Sequence, residues 1–117
     1  MQCRNTGKMP PRRGEIWSAT LDPTVGSEIK KTRPCVVIGN NVANQHRRTV
    51  VIVPLSSSPQ AAPPLMVTVQ CSGQPCVAVI DQVRAVAKER LVRHIDNLSA
   101  EHLRAVEDGL REILDLG

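Results

Sequence analysis

Short apolar stretches follow one another along most of the chain, and no helical segment of crossover length separates them. Residues 35–38 (CVVI) are almost entirely β-branched, which is typical of a strand buried on both faces. Residues 65–70 alternate apolar and polar side chains, which is typical of a half-buried strand. Because parallel strands need crossover helices between them, the pattern predicts an antiparallel sheet.

Five to seven short strands are predicted from such patterns. They fall within residues 13–21, 35–38, 49–53, 65–70, 76–80, 82–87 and 92–96. In the first strand, Trp17, Ala19 and Leu21 alternate onto one face. The polar segment 42–48 has room for one helical turn. The proline-rich segment 56–64 predicts a loop, because proline fixes φ and lacks an N–H donor.

The hydrophobic period changes near residue 99. From there the apolar side chains follow the spacing of one helical face: Leu103, Val106, Leu110, Ile113 and Leu114. Ser99 is a good N-cap, and the helix is expected to end near residues 116–117. The predicted fold is therefore mainly β with a C-terminal α-helix, in which the helix packs on a small, strongly curved antiparallel sheet or partly open barrel.

The chain length of 117 residues suits one domain with one compact core. Residues 1–11 are polar and basic, and we expect a flexible tail there before a single domain at 12–117. No apolar run approaches the roughly 20 residues that span a bilayer. The first residues also lack the apolar segment of a secretory signal. We therefore expect a cytoplasmic protein with no membrane association.

Composition narrows the range of partners. The formal net charge of +4 suits a polyanionic partner but does not by itself identify nucleic acid. One Trp, no Phe and no Tyr leave few surfaces for stacking bases and no aromatic lining for a proline-peptide groove. The four cysteines and three histidines lack zinc-like spacing, so we expect no metal and no cofactor. Cys71 and Cys76 could meet across a hairpin, although a reducing compartment argues against a lasting disulfide.

Several linked motifs occur in order between residues 12 and 116. They are RRGEIW at 12–17, DPTVGSE at 22–28, RPCVVIGN at 33–40, VPLSS at 53–57 and IDQVRAVAKERL at 80–91. With the terminal amphipathic helix ending in LDLG, they resemble the MazF/PemK family of toxin endoribonucleases. The resemblance is specific because the motifs share one order along the chain.

The resemblance implies an SH3-like barrel, related to that of CcdB toxins, and a homodimer. It implies the toxin of a type II toxin–antitoxin system, which cleaves single-stranded RNA (mRNA) at selected sequences without a metal. The expected products are a 2′,3′-cyclic phosphate and a 5′-hydroxyl. It also implies a cognate antitoxin whose acidic, disordered tail covers the active site. The alternatives are a CcdB-like toxin that poisons DNA gyrase without catalysis, and a non-toxic SH3-like binding module.

Arg33 and Ser56 are the principal catalytic candidates. A guanidinium is permanently charged and forks onto phosphate oxygens, and Pro34 biases Arg33 toward an extended backbone. On residue chemistry alone, a solvated arginine before a strand is the more frequent case. The resemblance assigns Arg33 to stabilising charge on the phosphoryl oxygens. Ser56 takes a position where the family usually has threonine, and it keeps the hydroxyl.

The polar loop before Arg33 holds the other catalytic candidates. Ser27 can offer a second hydroxyl to the phosphate, and Glu28 either orients Arg33 or acts as base. Lys30 and Lys31 are expected to attract the RNA backbone. An ordinary solvated loop is the alternative explanation for all four residues.

The remaining RNA-binding candidates are Ser57, Gln82 and Arg84. For Gln82 and Arg84 a plain surface strand is the alternative. His46 has the residue type of a general base, yet no partner for it is visible in the sequence, so catalysis by His46 is not expected. The general base stays unassigned.

Overall fold

The computed structural model describes residues 9–21, 32–57, 62 and 65–116. Within them the strands are β1 (Glu15–Ala19), β2 (Arg33–Val37), β3 (Thr49–Ser56), β4 (Met66–Cys71), β5 (Gln74–Val79), β6 (Arg84–Ala87) and β7 (Leu91–Asn97). The helices are α1 (Asn41–His46) and α2 (Ala100–Leu114). Two 3₁₀ helices, Ile80–Gln82 and Lys88–Arg90, flank β6.

All strand pairs are antiparallel, in the order β4-β5-β3-β2-β1-β7, and β6 also pairs with β3. The first half of β3 pairs with β6 and its last two residues pair with β5. Because one strand serves two partners along the same edge, the sheet curls into a half-barrel. The predicted fold class, a small curved antiparallel sheet with a C-terminal helix, is confirmed.

Each face of the sheet carries its own apolar cluster, because successive side chains of a strand point to opposite sides. The cluster that we call the barrel core contains Ala19, Leu21, Cys35, Val37, Val50, Ile52, Val86 and Leu91. Trp17 packs against it, so the predicted alternation of β1 onto one face is confirmed. The helix-side core includes Val36, Val53 and Leu55, and it lies under α2.

Helix α2 closes the helix-side core. The hydroxyl of Ser99 accepts a hydrogen bond from the backbone N–H of His102 at 3.1 Å, which confirms the predicted N-cap. Val106 is fully buried, and Leu103, Leu110 and Ile113 pack against the cluster. No helix in the described part of the chain is long and apolar enough to cross a membrane.

Several element boundaries differ from the sequence prediction by one to three residues, and two of them depend on distant strands. Strand β3 runs to Ser56, beyond the predicted end at residue 53, and passes through the buried Pro54. The predicted strand 82–87 begins only at Arg84, because the chain first makes a 3₁₀ turn. In both places the pairing with a distant strand decides the boundary, and proline or alternation alone does not.

Residues 9–11 of the predicted tail fall within the described part, and Pro11 is buried. Just after them, Arg13 ties three parts of the fold together. Its backbone N–H donates to the Asn41 side chain at 2.7 Å, and its guanidinium donates to the Ile38 carbonyl and pairs with Glu107 on α2. The Arg13 and Glu107 side chains are about one third exposed (32% and 31%), so solvent screens the charge attraction between them.

We expect Arg13→Ala to lower the free energy of unfolding by about 1–2 kcal/mol, mainly because the Ile38 carbonyl loses its donor. Arg12→Ala removes the same charge from an exposed neighbour and should change stability by less than about 0.5 kcal/mol. Urea denaturation of the two variants beside the parent protein measures the difference. Equal effects from both substitutions would show that the Arg13 contacts contribute nothing specific.

Candidate active site

The start of β2 and the end of β3 meet at one end of the half-barrel. The register of this pair sets Cys35 opposite Pro54, Val36 opposite Val53 and Val37 opposite Ile52. Continued by two residues, the same antiparallel register places Arg33 opposite Ser56. This extension of the register makes the two principal candidates cross-strand neighbours, although 22 residues lie between them in the sequence.

The hydrogen-bond pattern of the pair brings their side chains close. The N–H of Ile38 donates to the Val51 carbonyl at 3.0 Å, which marks that pair as hydrogen-bonded. Because hydrogen-bonded and non-hydrogen-bonded pairs alternate, Arg33 and Ser56 form a non-hydrogen-bonded pair, in which Cα atoms are about 4.5 Å apart. Pro54 occupies a position of the same kind, so its missing N–H leaves no ladder bond unmade.

Both side chains leave the same face of the sheet. Arg33 lies two residues before Cys35 and Ser56 lies four residues after Ile52, and both of those residues belong to the barrel core. Arg33 is exposed and Ser56 is half-buried, so the pair lies where the barrel core opens to solvent. A permanent cation and a hydroxyl at this spacing can contact the same phosphodiester group.

The predicted RNA-binding residues that the structure describes flank the same end of β3. Arg84 lies opposite Ile52, and its guanidinium donates to the Leu21 carbonyl at 3.0 Å. This bond holds β6 against the chain that follows β1. Gln82 is exposed on the first 3₁₀ helix, and Ser57 is exposed directly after β3. Arg84 therefore makes a structural hydrogen bond and also presents a cation to solvent.

Four of the predicted site residues lie outside the described part of the chain: Ser27, Glu28, Lys30 and Lys31. The other candidates, apart from His46, lie along the second half of β3, from Arg84 opposite Ile52 to Ser57 directly after the strand. His46 is the last residue of α1 and precedes β3, whereas Ser56 is the last residue of that eight-residue strand. His46 therefore lies at the far end of β3 from the Arg33–Ser56 pair.

Among the described residues, no group of three or more His, Cys, Asp and Glu could hold a metal ion. Burial raises the pKa of the Cys35 thiol to about 12. Burial, together with the neighbouring Cys76, also raises the pKa of the Cys71 thiol. Both thiols are therefore held in the protonated form at neutral pH and are poor nucleophiles.

One acidic residue near this site was passed over in the sequence. Asp81 is exposed on the first 3₁₀ helix and immediately precedes Gln82. Its place inside the motif IDQVR was the available signal, but polar residues near a strand start are common, and the motif alone did not distinguish Asp81 from a solvated carboxylate.

The arrangement of motifs and strands matches a known family. The family model for PemK-like, MazF-like toxins of type II toxin–antitoxin systems matches residues 12–114. The chain belongs to this family. Endoribonuclease MazF9 of Mycobacterium tuberculosis is 37% identical to it over 114 residues, covering 90% of this chain and 97% of the relative. Endoribonuclease EndoA of Bacillus subtilis is 30% identical over 110 residues, covering 90% and 95%.

Solved structures share the fold of this PemK/MazF toxin. A MazE–MazF structure from Deinococcus radiodurans (Form-II) is 21% identical, with a TM-score of 0.81 over 94% of this chain and 100% of that one. An endoribonuclease in complex with its cognate antitoxin, from a mycobacterial species, is 20% identical, with a TM-score of 0.77 over 92% and 97%. The resemblance stated from the motifs is confirmed, and so is the fold that it implied.

The pairing of positions 33 and 56 can be tested by a disulfide. In the double variant Arg33→Cys with Ser56→Cys, we expect oxidation to join the two positions, because Cβ atoms of directly opposed residues are about 4.5–5.5 Å apart and small shifts allow a bridge. Peptide mapping by mass spectrometry identifies the bridge and separates it from pairs that involve the native cysteines. Arg33→Cys with Thr49→Cys, at the other end of β3, is the control. A bridge in the control but not in the test pair would mean that the register is wrong.

Proposed function

We propose that this toxin is a metal-independent endoribonuclease that cleaves single-stranded RNA at selected sequences, with Arg33 and Ser56 acting on the scissile phosphodiester. The proposal rests on the register of β2 and β3, which, extended by two residues beyond Cys35 and Pro54, sets Arg33 opposite Ser56 on one face. The names of two relatives, endoribonucleases MazF9 and EndoA, support it, since each matches nearly its full length.

The reaction needs no group beyond side chains and the RNA itself. The ribose 2′-oxygen loses its proton and attacks the neighbouring phosphorus, and the bond from phosphorus to the 5′-oxygen breaks as that oxygen gains a proton. A 2′,3′-cyclic phosphate and a 5′-hydroxyl result. Negative charge accumulates on the phosphoryl oxygens between these events. A fixed donor aimed at such charge contributes roughly 10²–10³-fold to the rate.

Arg33 supplies the charge that this step requires. Its guanidinium stays protonated and can place two N–H donors on the phosphoryl oxygens. Ser56 donates a hydroxyl hydrogen bond to the same phosphate. Ser27 is proposed as a further donor, and Glu28 as the residue that orients Arg33 or accepts the 2′-hydroxyl proton.

RNA recognition is proposed to use polar groups at the same end of the sheet. Ser57, Gln82 and Arg84 would contact the strand beside the cleaved bond, and Lys30 and Lys31 would hold its phosphates. A single-stranded target fits this set, because unpaired bases expose edges that hydrogen-bonding side chains can read.

Partners follow from the same proposal. Two structural neighbours are complexes with an antitoxin, and we propose a cognate antitoxin with an acidic, disordered tail for this chain as well. Such a tail would complement the net charge of +4. We further propose a homodimer in the cytoplasm, where the RNA substrate is found. Pairing would bury exposed apolar side chains such as Val42 (69% exposed) and Val92 (54%).

The purified protein should cleave single-stranded RNA in EDTA and leave the two ends named above, which primer extension and end-labelling detect. Arg33→Ala should fold normally and cut at least about 10²-fold more slowly, because the developing charge loses its main partner. Arg104→Ala removes an equal charge from the exposed surface of α2 and should not change the rate. A requirement for a divalent ion, or gyrase inhibition without RNA cleavage, would refute the proposal.

The hydroxyl at position 56 is tested by two substitutions of Ser56. Ser56→Ala should lower kcat, whereas Ser56→Thr should retain most of it, because threonine keeps the donor and only adds a methyl group. Single-turnover cleavage of one RNA oligonucleotide compares the two variants. If Ser56→Thr proves slower than Ser56→Ala, a different hydroxyl carries this role.

A further inference from the structure

A cavity of about 820 Å³ lies between β1, the residues before β3 and the second 3₁₀ helix. We call it the Trp17 cleft; its lining includes Trp17, Arg47, Arg48, Lys88 and Glu89. The backbone N–H of Lys88 donates to the Arg48 carbonyl at 2.9 Å, which joins the second 3₁₀ helix to the residue before β3. Along β3, Thr49 beside the cleft and Ser56 are roughly 23 Å apart, whereas Trp17 lies only two residues along β1 from Ala19, the cross-strand partner of Arg33.

The cleft carries an excess of positive charge. Arg47, Arg48 and Lys88 face it with only one carboxylate, that of Glu89. Within the described ranges, the side chains of these three cations make no ion pair and no hydrogen bond. Lys88 is half-buried, and this burial lowers the pKa of its ammonium. Arg47 and Arg48 are exposed, so an anionic ligand in the cleft can approach these cations from solvent.

The cleft also carries an aromatic surface. The Trp17 indole is half-buried, and its Nε1–H donates to Glu15 at 2.9 Å, which holds the ring in place. His94 stacks on the indole with ring centroids 5.5 Å apart. His94 lines an adjoining cavity of about 350 Å³ rather than the Trp17 cleft, so the stacked imidazole does not close the larger space.

We propose that the Trp17 cleft binds one nucleotide of the RNA substrate, an inference that rests on the proposed function. The base stacks on Trp17, and its phosphate lies against Lys88 and Arg48. Proteins hold single-stranded nucleic acid by stacking bases on aromatic rings and by placing cations along the phosphate backbone. The Trp17 cleft combines both features.

A line of cations connects the two sites. Arg84 begins β6 opposite Ile52, at the middle of β3, and Lys88 directly follows that four-residue strand, about 13 Å farther along. A phosphate backbone can pass from one to the other. An acidic peptide would pair with the same cations but has no base to place against the part of the Trp17 indole that lines the cleft, so the combination favours RNA.

Trp17 itself reports on occupancy, because the chain has one Trp and no Tyr. The full-length Arg33→Ala variant, which holds RNA without cutting it, is titrated with single-stranded oligoribonucleotides while Trp fluorescence is followed. We expect quenching as a base stacks on the indole. Adding Lys88→Ala or Arg48→Ala should raise the Kd by about tenfold. Arg104→Ala, with the same charge change on α2, should leave the Kd unchanged.

In the cleavage-competent protein, Lys88→Ala should raise KM and leave kcat unchanged, because the residue does not touch the reacting phosphate. Circular dichroism confirms that each variant is folded. Cleavage with no Trp17 quenching, or equal effects of Lys88→Ala and Arg104→Ala, would overturn the inference while the proposed function stands. Quenching by RNA without any cleavage would support the cleft and reject the proposed function. Quenching by poly-glutamate but not by RNA would assign the cleft to an acidic peptide and overturn the inference.

Discussion

The antiparallel register between β2 and β3 is the constraint on which the candidate active site depends. A slip of one residue would turn Arg33 to the other face of the sheet, away from Ser56. Burial on both faces prevents this slip, because Cys35 and Val37 fill the barrel core while Val36 fills the helix-side core. Pro54 also favours this register, because it lies opposite Cys35 at a non-hydrogen-bonded position, where β2 needs no N–H donor from β3.

Strand β3 links the chemistry to the rest of the molecule. Its last residues carry the hydroxyl of the active site and pair with β5, and its first residues pair with β6 and adjoin the Trp17 cleft. Cations stand along β3, with Arg33 near its last residues, Arg84 opposite its middle, and Arg48 and Lys88 near its first residues. A flexible polyanion that follows this strand would meet positive charge along its length, which a small neutral substrate would not require.

The sequence correctly predicts features that depend on neighbouring residues, but it does not predict features that depend on strands distant in the sequence. Helix α2 and its Ser99 cap were predicted because both depend on residues within a few positions of each other. The predicted end of β3 lies three residues before the observed one. Proline is typical of a strand end, and the sequence does not show which residue lies across the sheet from Pro54. Arg33 and Ser56 were selected through their motifs, but nothing local indicated that they face each other.

The sequence by itself determined the class of fold and the chemistry available. Apolar alternation without crossover helices requires an antiparallel sheet, and the motifs around Arg33 and Ser56 identify the family. Only the tertiary structure decided which side chains share a surface. Trp17, Arg48 and Lys88 come from three distant segments and meet because β1, β3 and β6 lie in one curled sheet. Strand pairing depends on the burial of whole faces, a global quantity that no short stretch of sequence contains.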